Sequence, residues 1–252
     1  MPLSEYFTGD WNGAPFVLFG TSHLIALGIV ALINSLLFVV GQRLPQRWRP
    51  VVRYGLAVVL LVDEALWHYW NWSTGQWSIQ TTLPLHLCSV LVFLSAIMLI
   101  TENKDIYEFA YLLGIPGALQ ALLTPDAGQY GFPHFRAFQV MVSHGAIITA
   151  AVYMTAVEGY RPTWASVKRV VVRANLYALF VGVVNALIGS NYLFIARKPE
   201  TASLLDVLPP WPWYLPILEA LALLMIGALY VPFALTDARV RRRATVRPLR
   251  SG

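Results

Sequence analysis

Seven apolar runs, each close to the length of a bilayer crossing, decide what this chain can fold into. A helix rises 1.5 Å per residue, so crossing a hydrocarbon core takes roughly 20 apolar residues. Runs bounded by Pro, Gly and charge fall at about 16–40, 51–72, 83–100, 106–123, 137–157, 168–189 and 213–235 of the 252 residues. Between them no stretch is left for a soluble domain of any size. Composition agrees, with 57% of residues apolar and 12% charged, against about 25% charged in an ordinary soluble domain. The expected fold is all-α: a polytopic membrane protein made of one seven-helix transmembrane bundle over 1–252, ending in a basic tail at 236–252. Residues 1–15 hold no Lys or Arg, so the first run reads as a span and not as a cleaved signal.

The basic residues orient the bundle. Arg43, Arg47, Arg49, Arg53, Lys104, Arg161, Lys168, Arg169 and Arg173 follow the odd-numbered runs, as do Arg239, Arg241, Arg242, Arg243, Arg247 and Arg250. These are 15 of the 18 basic residues; Arg136, Arg197 and Lys198 fall on the other side. Because Lys and Arg collect on the cytoplasmic side, the N-terminus is expected outside and the C-terminus inside. The net charge of +5 then reads as topology anchoring and attraction to anionic lipid, and no nucleic-acid partner is expected.

The absent motifs exclude several chemistries. There is no P-loop, HExxH, CxxC or GxGxxG in a strand-to-helix setting, which removes nucleotide-driven pumps and zincin proteases. A single cysteine, Cys88, excludes an internal disulfide framework and a Cys-rich zinc module.

Depth sorts the polar residues inside the runs. His23, Asp63, Glu64, His68, His86, Cys88, Gln120, Gln139, His144, Asn185 and Glu219 all fall in the predicted outer half. The inner half holds little beyond Asn34 and Asn175. Ionisable groups in a bilayer are costly unless they face a protein-lined or watered cavity, so their common depth predicts a polar cavity open to the outside. Glu64 and His68 are four residues apart and share a helical face, where the carboxylate can orient the imidazole as a base. Asp63 points about 100° away from Glu64. His86 and Cys88 project about 200° apart, so a partner for the thiol must come from another helix.

Three uses of these atoms stay open. A thiol with an imidazole is the minimum equipment for covalent acyl chemistry. His23, His68, His86 and His144 with Asp63 or Glu64 could instead hold zinc, although no spacing is diagnostic. A transporter or receptor could line a vestibule with the same groups. Trp70, Trp72, Trp77, Trp211, Trp213 and Tyr214 read as an outer aromatic belt. Gly114, Pro116 and Gly117 predict a short, kinked fourth span.

Several longer strings carry a resemblance. They are Leu83 Pro84 Leu85 His86 Leu87 Cys88, Ser143 His144 Gly145, Gly189 Ser190 Asn191 Tyr192 Leu193 Phe194, Lys198 Pro199, Ser203 Leu204 Leu205 Asp206 and Pro210 Trp211 Pro212 Trp213 Tyr214. Over nearly the whole chain this resembles the YwaF-like family of bacterial integral membrane proteins, with Pro209 where that family is expected to have Gly. An animal relative of the family is similar to an ether-phospholipid acyltransferase that uses a Cys nucleophile and a His. The resemblance implies a multi-pass protein of the bacterial cytoplasmic (inner) membrane, with Cys88 as nucleophile and His144 as base.

The resulting expectation is a lipid acyltransferase or lipid-ester hydrolase acting on a membrane phospholipid or acyl lipid without a cofactor. Cys88 would attack an ester carbonyl, His144 would carry the proton, and Glu64 with His68 would orient the site or replace that base. Asn185, Asn191 or Gln120 would donate to the oxyanion, with His23 and His86 lining the site. The long 191–213 loop would cover the cavity, its Arg197 and Lys198 holding a phosphate head group.

Overall fold

The computed structural model describes residues 3–198 and 204–246. Pro199, Ser203 and the end of the expected tail, 247–252, lie outside the described residues. Those described contain helices and connections and no strand. The helices are α1 (Thr21–Val40), α2 (Arg49–Ser73), α3 (Leu87–Thr101), α4 (Lys104–Phe109), α5 (Ile115–Leu123), α6 (Phe135–Ala156), α7 (Trp164–Ile188) and α8 (Tyr214–Val246). A π-helical turn, Ala110–Gly114, joins α4 to α5 into one column, so each predicted run contains one helical column.

Five columns are long and apolar enough to cross a membrane: α1, α4–α5, α6, α7 and α8. Two others fall short for different reasons. α2 has the length, but Arg49, Arg53, Asp63 and Glu64 make it less apolar, the last three turned into the bundle. α3 has 15 residues, because 83–86 enters the bundle unwound where a span from 83 was expected. α1 likewise begins at Thr21 and not near 16, since Phe19 takes a left-handed φ of 56° ahead of it. At the other end α8 runs on to Val246, so the first part of the expected tail is helical.

Packing follows the distribution of small residues. α6 is the central column, with Ala146, Ala150 and Ala151 among its buried positions. A Cβ at Gly145 would meet Val30 at 2.9 Å, so the missing side chain is what lets α1 approach. A Cβ at Gly114 would meet Leu91 at 3.2 Å and Ile147 at 3.6 Å, and one at Gly117 would meet Leu87 at 3.1 Å. The irregular α4–α5 column therefore wedges against α3 and α6 through its glycines, and its expected kink is the π turn.

The N-terminal segment closes one face of the bundle. Trp70 donates to the Phe7 carbonyl at 3.0 Å, the Tyr130 hydroxyl to the Gly9 carbonyl at 2.9 Å, and His134 Nε2 to the Thr8 carbonyl at 3.0 Å. Trp70 is thereby buried and holds this segment instead of joining an aromatic belt. Trp72, Trp211 and Trp213 are exposed, whereas Tyr214 is buried and donates to the Phe194 carbonyl.

Candidate functional site

Nine residues past the start of α6 and nine before the end of α2, at about equal depth from the N-terminal face, stand His144 and Glu64. Leu91 and Ile147 meet over Gly114. One turn N-terminal of these lie Cys88 on α3 and His144 on α6, and because α3 starts deeper, after its unwound entry, the thiol and the imidazole stand at about the same level. No hydrogen bond joins Cys88 to a histidine among the described residues.

His144 is held in one tautomer. Its Nδ1 lies 2.7 Å from the Val140 carbonyl, and a carbonyl only accepts, so Nδ1 carries the proton and Nε2 keeps its lone pair. That is the form a general base needs. His68 is fixed the opposite way. The Trp77 indole N–H donates to its Nδ1 at 3.3 Å, which leaves the proton on Nε2, 3.5 Å from Glu64 Oε1. In this state His68 has no lone pair free to serve as a base. Its contact with Glu64 lacks hydrogen-bond geometry, and Glu64 Oε1 is buried without a hydrogen-bond partner.

Beside this pair runs a buried relay that sequence reading did not assemble. Arg136 lies over the Trp67 ring at 4.1 Å, donates to the Asp126 carbonyl at 3.0 Å and to Gln139 Oε1, and makes no ion pair among the described residues. Gln139 passes the interaction on, donating to Asp63 Oδ2 at 3.0 Å. Arg136 had counted only as one of three basic residues on the sparse side. Its place one residue into a helix, three before Gln139, was the available signal.

An apolar groove of about 510 Å³ opens between α1, α2 and α6, lined by Ile25, Ile29, Leu56, Val59, Met141 and Gly145 among others. It starts one turn inward of Asp63. Its size falls within the usual range of small-molecule sites.

Other expected site residues have different employment. His23 is buried, its Nδ1 accepting from the Phe19 N–H at 2.9 Å and its Nε2 bonding the Leu122 carbonyl at 2.8 Å, so it ties α1 to α5 with both nitrogens taken. Asn185 donates to the Tyr192 carbonyl and accepts from Tyr192 N–H and the Ser190 hydroxyl, which shapes the turn after α7. Asn191 donates to the Arg197 carbonyl and accepts from the Ala196 and Arg197 N–H groups. Gln120 is exposed. Arg197 is exposed and Lys198 donates to the Leu208 carbonyl at 2.7 Å.

His86 caps the entry to α3. Its Nδ1 accepts from the Leu193 N–H at 3.3 Å, and its ring packs against Tyr192 and Phe194. The described part of the 191–213 loop thus lies over the start of α3. Tyr192 reinforces this, accepting from the Leu83 N–H at 2.9 Å and donating to the Ile79 carbonyl at 2.8 Å, while the Tyr177 hydroxyl donates to the Leu85 carbonyl at 2.9 Å. Unwound backbone at this depth needs such partners. Among the described residues no three His, Cys, Asp or Glu side chains converge as a metal site, so the zinc alternative loses its geometric basis.

The opposite face carries polar groups that the depth argument overlooked. Arg53 pairs with Glu102 and lies 4.0 Å from Glu158, which also pairs with Arg49 at 3.5 Å. Glu108 takes two bonds from Arg169, at 2.5 and 3.0 Å, and one from the Ser166 hydroxyl at 2.7 Å. Asn175 donates to Glu219 at 3.0 Å, so the two share one depth where sequence had put them in opposite halves.

With this arrangement in view, comparison with known families matches residues 18–230 to the TMEM164 family. The chain belongs to the TMEM164 family. No curated protein and no solved structure matches it. Family membership and the five spanning-length helices make this TMEM164-family chain a multi-pass membrane protein.

Proposed function

We propose that this TMEM164-family chain is a lipid acyltransferase or lipid-ester hydrolase of the bacterial cytoplasmic membrane. It has seven transmembrane columns, its N-terminus outside, its C-terminus inside, and a site open to the outer leaflet. The observation that carries the reading is His144. Its Nδ1–H is bonded to the Val140 carbonyl, which leaves an Nε2 lone pair at about the depth of Cys88 in a bundle already committed to lipid. The resemblance to the YwaF-like family and its ether-phospholipid acyltransferase relative supports the same pair.

In the proposed reaction His144 Nε2 takes the Cys88 proton while Sγ bonds to the carbonyl carbon of a phospholipid ester. The tetrahedral intermediate collapses, the ester C–O bond breaks, and the leaving alkoxide takes the proton from His144. A second hydroxyl, from an acceptor lipid or from water, gives its proton to His144 and attacks the thioester. The C–S bond then breaks and the thiolate recovers the proton. Glu64, whose Oε1 lies 3.5 Å from His68 Nε2, would serve as a second proton acceptor.

The test is incubation of purified protein with phospholipid donors, followed by a search for a hydroxylamine-labile acyl mass on Cys88. Cys88→Ser should lose turnover by three or more orders of magnitude, with thermal stability nearly unchanged because the volumes match. Full turnover in Cys88→Ser would remove the covalent mechanism.

A further inference from the structure

The groove between α1, α2 and α6 takes no part in the reaction proposed above, since neither Cys88 nor His144 is among its lining residues. We propose that it is a slot that binds one acyl chain of a bilayer phospholipid, drawn from the leaflet at the N-terminal face.

The slot runs along the bundle axis. α1 and α6 both start at the N-terminal face and lie side by side in register: a Cβ on Gly145 would meet Val30 at 2.9 Å, and one turn further in the Asn34 amide donates to Thr149 Oγ1 at 3.1 Å. The lining extends from Ser22 to Ile33 along α1 and from Phe138 to Thr149 along α6, which is about 16 Å in each helix. One leaflet of a hydrocarbon core roughly 30 Å thick is about 15 Å deep. The slot therefore has the length of one lipid chain lying in its ordinary direction.

Its two ends and its depth are set by particular side chains. At the outer end the Phe132 and Phe138 rings meet edge to face, with centroids 4.9 Å apart. At the inner end the Asn34 bond crosses from α1 to α6, and Thr149 in turn donates to the Gly145 carbonyl at 2.8 Å. Between them the small residues Ala26, Gly145 and Ala146 make the floor, and the larger Ile25, Ile29, Val59 and Val142 make the rims. These four are between 43% and 57% exposed, so the slot is open along its side. Because α1 and α6 are long and apolar enough to cross a membrane, it opens onto hydrocarbon.

Chemistry and width select the occupant. Apart from the Ser22 and Thr149 hydroxyls at its ends, every lining side chain is apolar, which offers nothing to a charged ligand. Spread over its length, the 510 Å³ gives a cross-section of about 30 Å². A helix with its side chains is about 10 Å across and takes roughly 80 Å². A helix of a second copy is too wide to enter, whereas an unbranched chain fits. Walls left empty would lose their dispersion contacts, and the surrounding bilayer holds acyl chains at this depth.

The test uses a phosphatidylcholine carrying a diazirine midway along one acyl chain, in nanodiscs holding the full protein, with labelled positions read by peptide mass spectrometry. Leu179 and Leu224, 67% and 69% exposed on α7 and α8, report contact with bulk lipid. Labelling at Val30 and Met141 should exceed theirs by about tenfold. Ile29→Trp and Val59→Trp fill the slot from opposite walls at positions already half exposed, so the unfolding midpoint should stay near that of wild type. Each should cut labelling of Val30 and Met141 about tenfold and leave Leu179 and Leu224 unchanged.

Slot labelling no stronger than at Leu179 and Leu224 makes the groove ordinary lipid-facing surface and overturns the proposal. Labelling indifferent to both Trp variants does the same. A dimer in native mass spectrometry that shields Val30 and Met141 from the diazirine replaces the lipid with a second copy. Displacement of the label by palmitate but not by unlabelled phosphatidylcholine replaces the phospholipid with a free fatty acid. Either result overturns the assignment. No readout passes through Cys88, so the slot and the acyl-enzyme reading stand or fall separately.

Discussion

The two faces of the bundle handle buried charge in opposite ways. At the face away from the N-terminus, Arg53, Glu102, Glu158, Arg49, Glu108 and Arg169 meet directly as ion pairs. Near the N-terminal face, Arg136 reaches a carbonyl and an amide, Asp63 receives only that amide's N–H, and Glu64 keeps an open oxygen. Direct pairing neutralises charge across helices, although Arg53 Nε and Nη1 make no hydrogen bond, as Glu64 Oε1 makes none. Relayed and open charge stays costly until something else arrives. The first pattern ties helices to one another; the second is a relay through an amide and a carbonyl.

Breaking each side in turn should separate these roles. The largest effect is expected from His144→Ala, which should lower acyl transfer by about 10²- to 10⁴-fold while the thermal midpoint moves little. Activity and unfolding measured on one preparation check this, and an equal loss of both would make His144 structural. Arg53→Ala should do the opposite. It removes the partner of Glu102, which is half exposed, while Glu158 keeps Arg49 and the Tyr153 hydroxyl, so it should cost about 1–2 kcal/mol. Activity per folded molecule should stay at the wild-type level, as denaturant titration with active-site counting would show.

Smaller changes sharpen the contrast. Asp63→Asn keeps an oxygen for the Gln139 amide and removes a charge that has no direct ion pair, so stability should shift by less than about 1 kcal/mol. A loss several-fold larger would mean that Arg136 and Asp63 are coupled as strongly as the pairs opposite. The smallest expected effect is one of pH at His134, just before α6. Burial, with the nearby Arg136 charge, holds it below the ordinary histidine range, against the Thr8 carbonyl bond, which favours the proton. A histidine lowered in the folded state stabilises above its unfolded pKa, and that contribution is lost as pH falls through the folded value. Hydrogen exchange of residues 3–20 should therefore quicken below about pH 6, and a flat profile would detach the N-terminal segment from His134.

The candidate residues share a predicted depth, but their bonding partners do not follow from it. Depth counting placed Glu64, His68, Cys88 and His144 together, since a helix converts residue number directly into depth. It could not find Arg136, whose role depends on Trp67, Gln139 and the Asp126 carbonyl, contributed by other turns and another helix. Nor could it see that His23 and Asn185 spend their polar atoms on backbone groups, because the same residue types serve either purpose. Glu102, Glu108 and Glu158 went uncounted as partners for a related reason: the arginines around them were already sufficient as topology signals.

What the sequence determined by itself was the helical, membrane-embedded character of the chain and the positions of its columns, because apolar run length and the spacing of charge are local properties that a bilayer reads directly. The tertiary structure decided which columns are long and apolar enough to cross, where α3 begins, which tautomer each histidine takes and which charges stay unpaired. Those depend on groups brought together from distant parts of the chain. The unwound 83–86 entry is possible only because Tyr177 and Tyr192 satisfy its backbone, and residues about a hundred positions away are beyond the reach of any local pattern.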